Sequence, residues 1–467
     1  MKKFTLVTAI ALFFTSTIFA QFTMDGSFRT RAMALHGYKM PVIKDAPATF
    51  GADQQSRLIL NYKNDKIQTR LTIQDARVWG ADDMYNPTGV QQNTYGLGVY
   101  EAWAQVKMGE NSQLRVGRQE WKYNYSRLIS HRGWWTSGQS YDGLLYMFHK
   151  KDAGLFVDFG LSYNNDMKPG SGLYVDAYSQ RTKTMNFLNV KKAINKKFNV
   201  TLNLILSGKQ HQGFDAATGK MSHADVLYVK MTEGLIFNYN MGKKGEDGVF
   251  GTLSAYYQHG TNANKGGGGS AVSAYMMDAQ VGFRTMEKKL ELSAGVEILS
   301  GHDATNTDED YMKQVHTFDL LNGGRHPYYG GTMDYFVMPA HMKNGGMMDP
   351  YFKVNYKLNK KGMLKLGVFL PMLATNVKTK RKDDAGEAIL FDKGLGQNID
   401  LAYIHKFSKE VKIRVGASYF MMSDTFKEMK GMKVSDQINA TNNESGQQYF
   451  AYIMLTIKPR FFSSEKK

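Results

Sequence analysis

The chain has 467 residues, a formal charge of +17 and no cysteine, so neither disulfides nor cysteinyl metal sites contribute to its fold. Aromatics make up 13% of it, with 27 Tyr and 27 Phe, while the mean hydropathy is −0.42. Beyond the N-terminus no run of about 20 apolar residues occurs, which excludes helical membrane spans but not strands that are apolar at every second residue.

Lys2 and Lys3, the apolar run Phe4 to Phe19 and a cleavage site after Ala20 read as a secretory signal over residues 1–20. An N-terminal membrane helix is the weaker reading, because the run is short and no basic stop-transfer cluster follows it. Gln21 in place of a cysteine argues against a lipid anchor. Removing residues 1–20 takes away two lysines and no acid, so the mature chain keeps +15 of its charge. Such a surplus suits an anionic membrane surface, an anionic solute or nucleic acid, and export argues against nucleic acid.

From residue 22 onward the hydrophobic pattern has period two. Val411, Ile413, Val415, Ala417 and Tyr419, for example, alternate with Lys412, Arg414, Gly416 and Ser418. The pattern predicts strands at 22–35, 54–62, 66–78, 97–108, 112–121, 140–149, 154–165, 183–192, 197–208, 224–240, 248–260, 272–286, 288–301, 347–358, 362–372, 393–406, 410–422 and 446–460, about 18 in all. A soluble β-sandwich would also alternate, but many of these strands reach the roughly 9–11 residues that a tilted membrane crossing needs.

The connections alternate as well. Short polar turns such as Lys63-Asn64-Asp65, Gly109-Glu110-Asn111 and Ser408-Lys409 take turns with longer segments at 36–53, 79–96, 122–139, 166–182, 209–223, 261–271, 302–346, 373–392 and 423–445. The expected fold is therefore all-β: one transmembrane antiparallel up-and-down β-barrel over 21–467 in a Gram-negative outer membrane, with short turns and both termini periplasmic. The last strand, 448–462, alternates aromatic and aliphatic residues up to Phe462, like the final strand that the outer-membrane assembly machinery recognises, although Ser463 to Lys467 follow it.

Residues 116–146, VGRQEWKYNYSRLISHRGWWTSGQSYDGLLY, resemble the alginate-export family of outer-membrane barrels. The resemblance rests on Gly117, Arg118, Gln119, Arg127, Leu128, Trp134, Asp142 and Gly143. Looser matches lie at 73–80 (IQDARVWG) and 326–336 (HPYYGGTMDYF). The resemblance implies an 18-stranded pore, and passage of an anionic polysaccharide in the family's founding members.

A barrel of this size encloses water unless loops fill it, and no plug domain separates Gln21 from the first alternating strand, so facilitated diffusion is the expected mechanism. Arg29, Arg31, Arg57, Arg70, Arg115 and Arg118 are the expected anion track, with Arg284, Lys365, Lys412 and Arg414 on the polar faces of other strands. The plainer alternative is that the arginines brace the wall against Glu101, Asp278, Glu291 and Glu297. Trp134 and Trp135, beside Arg127 and Arg132 in the third long segment, suggest a constriction folded into the lumen. Strand-end aromatics such as Trp79 read first as interfacial girdle.

Segment 302–346 is long enough to be a lid. Its Asp303, Asp308, Glu309 and Asp310 match no full calcium loop and read as a solvated acidic stretch. The glycines 266–269 lack the lysine of a phosphate-binding loop. The 11 histidines fall in no nucleophile motif, so neither an enzyme nor a cofactor is expected. The expected partners are outer-membrane lipid and an anionic or saccharide solute. A closed structural or adhesive barrel is the alternative, with a barrel-rim hydrolase behind it.

Overall fold

A computed structural model describes residues 21–37, 41–79, 97–164, 182–215, 220–241, 246–263, 269–325, 328, 341–434 and 444–464, with the backbone alone within 210–225. The proposed signal segment 1–20 and nearly all of 326–336 lie outside these residues.

The first half of the wall is β1 (Gln21–His36), β2 (Thr49–Lys63), β3 (Ile67–Val78), β4 (Gly98–Lys107), β5 (Ser112–Gln119), β6 (Tyr141–Lys150), β7 (Leu155–Ser162), β8 (Thr182–Ala193) and β9 (Phe198–Asp215). It continues through β10 (Lys220–Asn240), β11 (Gly248–Ala263), β12 (Gly269–Thr285), β13 (Leu290–Leu299), β14 (Met347–Lys357) and β15 (Gly362–Phe369). After a loop hairpin, β16 (Lys378–Lys382) and β17 (Ala388–Leu390), come β18 (Gly396–Lys406), β19 (Val411–Met422), β20 (Gln448–Ile457) and β21 (Arg460–Ser463).

Each wall strand pairs antiparallel with its chain neighbour, and β20 and β21 both pair with β1. The sheet thus closes into a barrel of 18 strands, because β20 and β21 are one strand interrupted at Lys458-Pro459. Proline offers no ladder donor, and the carbonyl of Pro459 instead accepts the amide of Gly26 at 2.8 Å.

Register sorts the side chains. On β20, Phe450, Tyr452 and Met454 are buried and sit opposite Leu35, Met33 and Arg31, whereas Ile453 is 54% exposed and sits opposite Ala32. The first set faces the lumen and the second the surroundings, as alternation requires in a barrel with an apolar outer band.

Three expectations about loops are corrected. The segments 209–223 and 261–271 are largely strand: β9 runs to Asp215, β10 starts at Lys220, β11 ends at Ala263 and β12 starts at Gly269. These hairpins prolong their ladders with polar sequence, which alternation of apolar residues does not reveal. The segment 373–392 carries the β16–β17 hairpin.

Much of the buried apolar core lies inside the barrel, where two long loops meet. Trp121 stacks on Tyr141 at 4.8 Å and meets Phe187 edge-on at 5.0 Å. Leu128 and Ile129 of the first loop share one cluster with Phe318 and Leu320 of the second.

Candidate functional site

The loop between β5 and β6 enters the lumen because the inner faces of β1 to β4 supply donors for its backbone. Arg29 donates to the carbonyls of Gly133 and Trp135 at 2.5 and 2.7 Å, and Arg31 to that of Trp134 at 3.2 Å. Gln74 donates to Ser137 O at 2.9 Å, the Tyr100 hydroxyl to Gln139 O at 3.2 Å, and Gln55 to Thr136 O. Thr136 donates its hydroxyl to Asp53 at 2.7 Å, the same carboxylate that receives Arg31. The chain reverses through Asn124, Tyr125 and Ser126, all with positive φ, a conformation that non-glycine residues hold only where their surroundings fix it.

The far side of the loop reaches β13. There Arg127 forms an ion pair with Glu297, both almost fully buried, and its guanidinium lies 4.0 Å over the ring of Tyr328. The second inward loop, which follows β13, docks on the first: Ile129 bridges Asn322, and the amide of Gly324 donates to Ser126 O at 2.8 Å. Asp319 seats that second loop, accepting from Lys230 at 2.9 Å, while its backbone exchanges two hydrogen bonds with the Gln258 side chain. Burial would raise the Asp319 carboxyl, but Lys230 and Lys209 outweigh it and hold the group below the usual carboxylate range.

Between these loops and the short-turn end lies a cavity of about 530 Å3. Its lining carries eight cationic side chains, among them Arg29, Arg57, Arg132, Lys412 and Arg414, and a single carboxylate, Glu120. Trp134 and Trp135 also line it. Trp134 has Arg31 at 4.4 Å and Arg414 at 5.5 Å from its ring centroid and meets Tyr452 edge-on at 5.1 Å, while Arg132 lies 4.8 Å over Trp135. Burial and the cations Lys122 and Arg57 lower the pKa of His131 in the same loop, although Glu120 and Glu101 act the other way.

The structure divides the cations chosen from sequence. Arg31, Arg70, Arg127 and Arg284 are paired with Asp53, Glu101, Glu297 and Glu291, so these four brace wall and loop. Arg57 donates to Gln74 at 2.7 Å, lies 3.6 Å over Tyr100 and keeps Glu120 at 3.5 Å. Arg115 takes Gln105 with two nitrogens and stacks 4.0 Å over Trp103, and no carboxylate among the described residues pairs with it directly. Lys365 and Arg414 also sit on inward register positions.

Arg118 is a correction. It stands opposite Ala102 on the outer face, three residues beyond inward Arg115, and makes a two-pronged pair with Asp142 at 2.7 Å. Odd spacing along a strand places two residues on opposite faces. Asp53, Tyr100, Glu120, His131 and Arg325 belong to the site or its support and were not singled out from the sequence, because only the tertiary position of the loops gathers them.

The four carboxylates considered for calcium do not converge. Asp303 accepts from Thr305 and Asn376, Asp308 caps the helix Glu309–Met312, and Glu309 and Asp310 are exposed beside Lys313. No group of three or more metal-binding side chains occurs among the described residues.

A closed antiparallel barrel of 18 strands is the fold of outer-membrane porins. Similar solved structures include OccK8 (OprE) of Pseudomonas aeruginosa, at 10% identity, TM-score 0.56, with 94% of this chain and 98% of that one covered. OccAB1 of Acinetobacter baumannii matches at 12% identity and TM-score 0.56 over 96% and 98% of the two chains. The outer membrane protein OprD of Pseudomonas aeruginosa matches at 9% identity and TM-score 0.55 over 94% of each. At such identities the likeness concerns the fold alone. In sequence, residues 21–156 match the alginate export family, and no curated protein matches the chain.

Proposed function

We propose that this outer-membrane barrel is a channel that passes anionic solutes by facilitated diffusion, with acidic saccharides as the class that suits its lining. The observation that carries the reading is the cavity under the inward loop, where eight cations face one carboxylate. Excess positive charge in a narrow, low-dielectric passage concentrates anions and repels cations. Tryptophan faces beside arginines add apolar surface for sugar rings next to groups that bind carboxylates. The match of residues 21–156 to the alginate export family supports the same class of cargo.

On this reading residues 1–20 direct export, both termini and the short turns are periplasmic, and the aromatic end of the last strand engages the assembly machinery. The partners are outer-membrane lipid and the solute. The test is the reversal potential of single channels in a planar bilayer under a salt gradient. Anion preference is expected, and cation preference would overturn the proposal. The two loops packed across the lumen also favour a closed, structural barrel, which would pass neither charged nor neutral saccharides in a liposome-swelling assay.

A further inference from the structure

On the long-loop side, away from the cavity just described, three loops carry lysines within electrostatic range of one another, and the Arg381–Glu428 ion pair ties two of these loops together. Lys343 closes the loop before β14, Lys380 lies on β16, and Lys430 follows the short helix Asp424–Met429. Lys343 Nζ lies 4.9 Å over the ring of Phe391 and Lys430 Nζ 5.2 Å over that of Phe426. Among the described residues none of the three ammoniums has a carboxylate partner. Glu428, which faces Lys343, is already engaged by Arg381 at 3.0 and 3.2 Å.

His341 stands beside Lys430, and its buried Nδ1 has no hydrogen-bond partner among the described residues. Arg325, which lines the cavity below, is within electrostatic reach of His341, and its buried Nε likewise has no partner among the described residues. The loops therefore hold like charges near one another, an arrangement that repels itself until an anion offsets it. Its cost is visible in Lys430, whose pKa burial and Lys343 push down to about 8. Lys343 is lowered in the same way by burial and Lys380.

We infer that Lys343, Lys380 and Lys430, with His341 at their inner side, form a docking point for a phosphate group at the long-loop mouth of the barrel. The choice of phosphate follows from the donors. Compact ammonium charges carried by three separate loops suit a tetrahedral, multiply charged oxyanion, whereas a planar carboxylate is better met by the guanidinium fork. Such a group arrives either on a free solute or on a lipid headgroup. The site does not depend on the channel reading, although Arg325 links it to the cavity a solute would enter next.

The test uses the full barrel in a phosphate-free glycoside detergent at constant ionic strength. Inorganic phosphate is titrated by calorimetry against the wild type and against Lys343→Gln/Lys380→Gln/Lys430→Gln. A second arm measures binding of vesicles carrying phosphorylated or dephosphorylated lipid A. Saturable binding that falls about tenfold or more in the triple variant is expected, since charge-assisted hydrogen bonds are removed. Loss confined to free phosphate assigns a solute, and loss confined to phosphorylated vesicles assigns the lipid. Equal binding by the triple variant, or no preference for phosphate over chloride in either arm, overturns the inference.

Lys343→Gln alone, at an exposed position, gives the same readout if the triple variant fails to fold. Arg118→Gln, on the outer face and outside both sites, should bind phosphate as the wild type does. Cation preference together with intact phosphate binding would reject the anion channel and leave this site standing.

Discussion

Arg127, carried by the inward loop, and Glu297, on β13, are buried against each other inside the barrel, and their ion pair ties the loop to the wall opposite its other attachments. Removing one member of such a pair strands a charge away from water, at a cost of about 3–5 kcal/mol. Glu297→Gln should therefore release the far edge of the loop. Single-channel recording is expected to show higher and noisier conductance than wild type, and unchanged traces would show that the loop is held without this pair. Arg127→Met with Glu297→Met should restore quiet channels, because matched apolar replacements leave no orphaned charge.

The lower cavity should set ion preference. Arg29→Gln with Arg414→Gln removes two of its eight cations, so the reversal potential should move toward the cation limit. An unchanged reversal potential would place the selective step elsewhere.

Arg115 and Arg118 form a paired control. Arg115 faces inward with no carboxylate paired to it among the described residues, and Arg118 faces outward against Asp142. Arg115→Gln should weaken anion preference, whereas Arg118→Gln should leave it as in the wild type. Equal shifts in the two variants would contradict the register.

Trp134 joins the loop to Arg31, Arg414 and Tyr452. Trp134→Ala forfeits cation–π contacts worth about 0.5–2 kcal/mol each and opens the passage beside them. Larger neutral saccharides should then swell liposomes faster, and an unchanged size limit would show that another element sets it.

The second loop should tolerate acid. Asp319 has a carboxyl pKa held below the ordinary value, so its stabilising contribution is complete above the unfolded carboxylate range and fades only as pH falls through the lowered value. Protease resistance of this loop should match between pH 7 and pH 5 in the wild type and begin to fall below about pH 4. Asp319→Asn should be cleaved faster than the wild type between pH 5 and pH 7, and equal cleavage of the two proteins there would remove Asp319 from the docking.

Strand number and pairing were legible in the sequence because one-sided burial repeats every second residue, as from Val411 to Tyr419. Strand extension beyond the membrane was not legible, since residues 209–215 and 220–222 pair without apolar alternation. Of the chosen cations, inward placement at Arg29, Arg31, Arg57, Arg70 and Arg115 followed from parity, and the same parity argued against Arg118. Which arginines would be neutralised was hidden, because Glu297 lies 170 positions beyond Arg127 in the chain and meets it only through the folded loop.

In the proposed orientation, the β9–β10 hairpin has a consequence for the surface of the cell. β10 contains 21 residues, and a tilted crossing uses about 9–11 of them. β9 contains 18, so about eight residues of β9 and about eleven of β10, roughly 25–35 Å of strand at a rise of about 3.3 Å, extend beyond the crossing on the long-loop side. An antibody, phage or protease approaching from that side meets this mast before any lipid, which makes its tip the place to attach a label without touching the passage below.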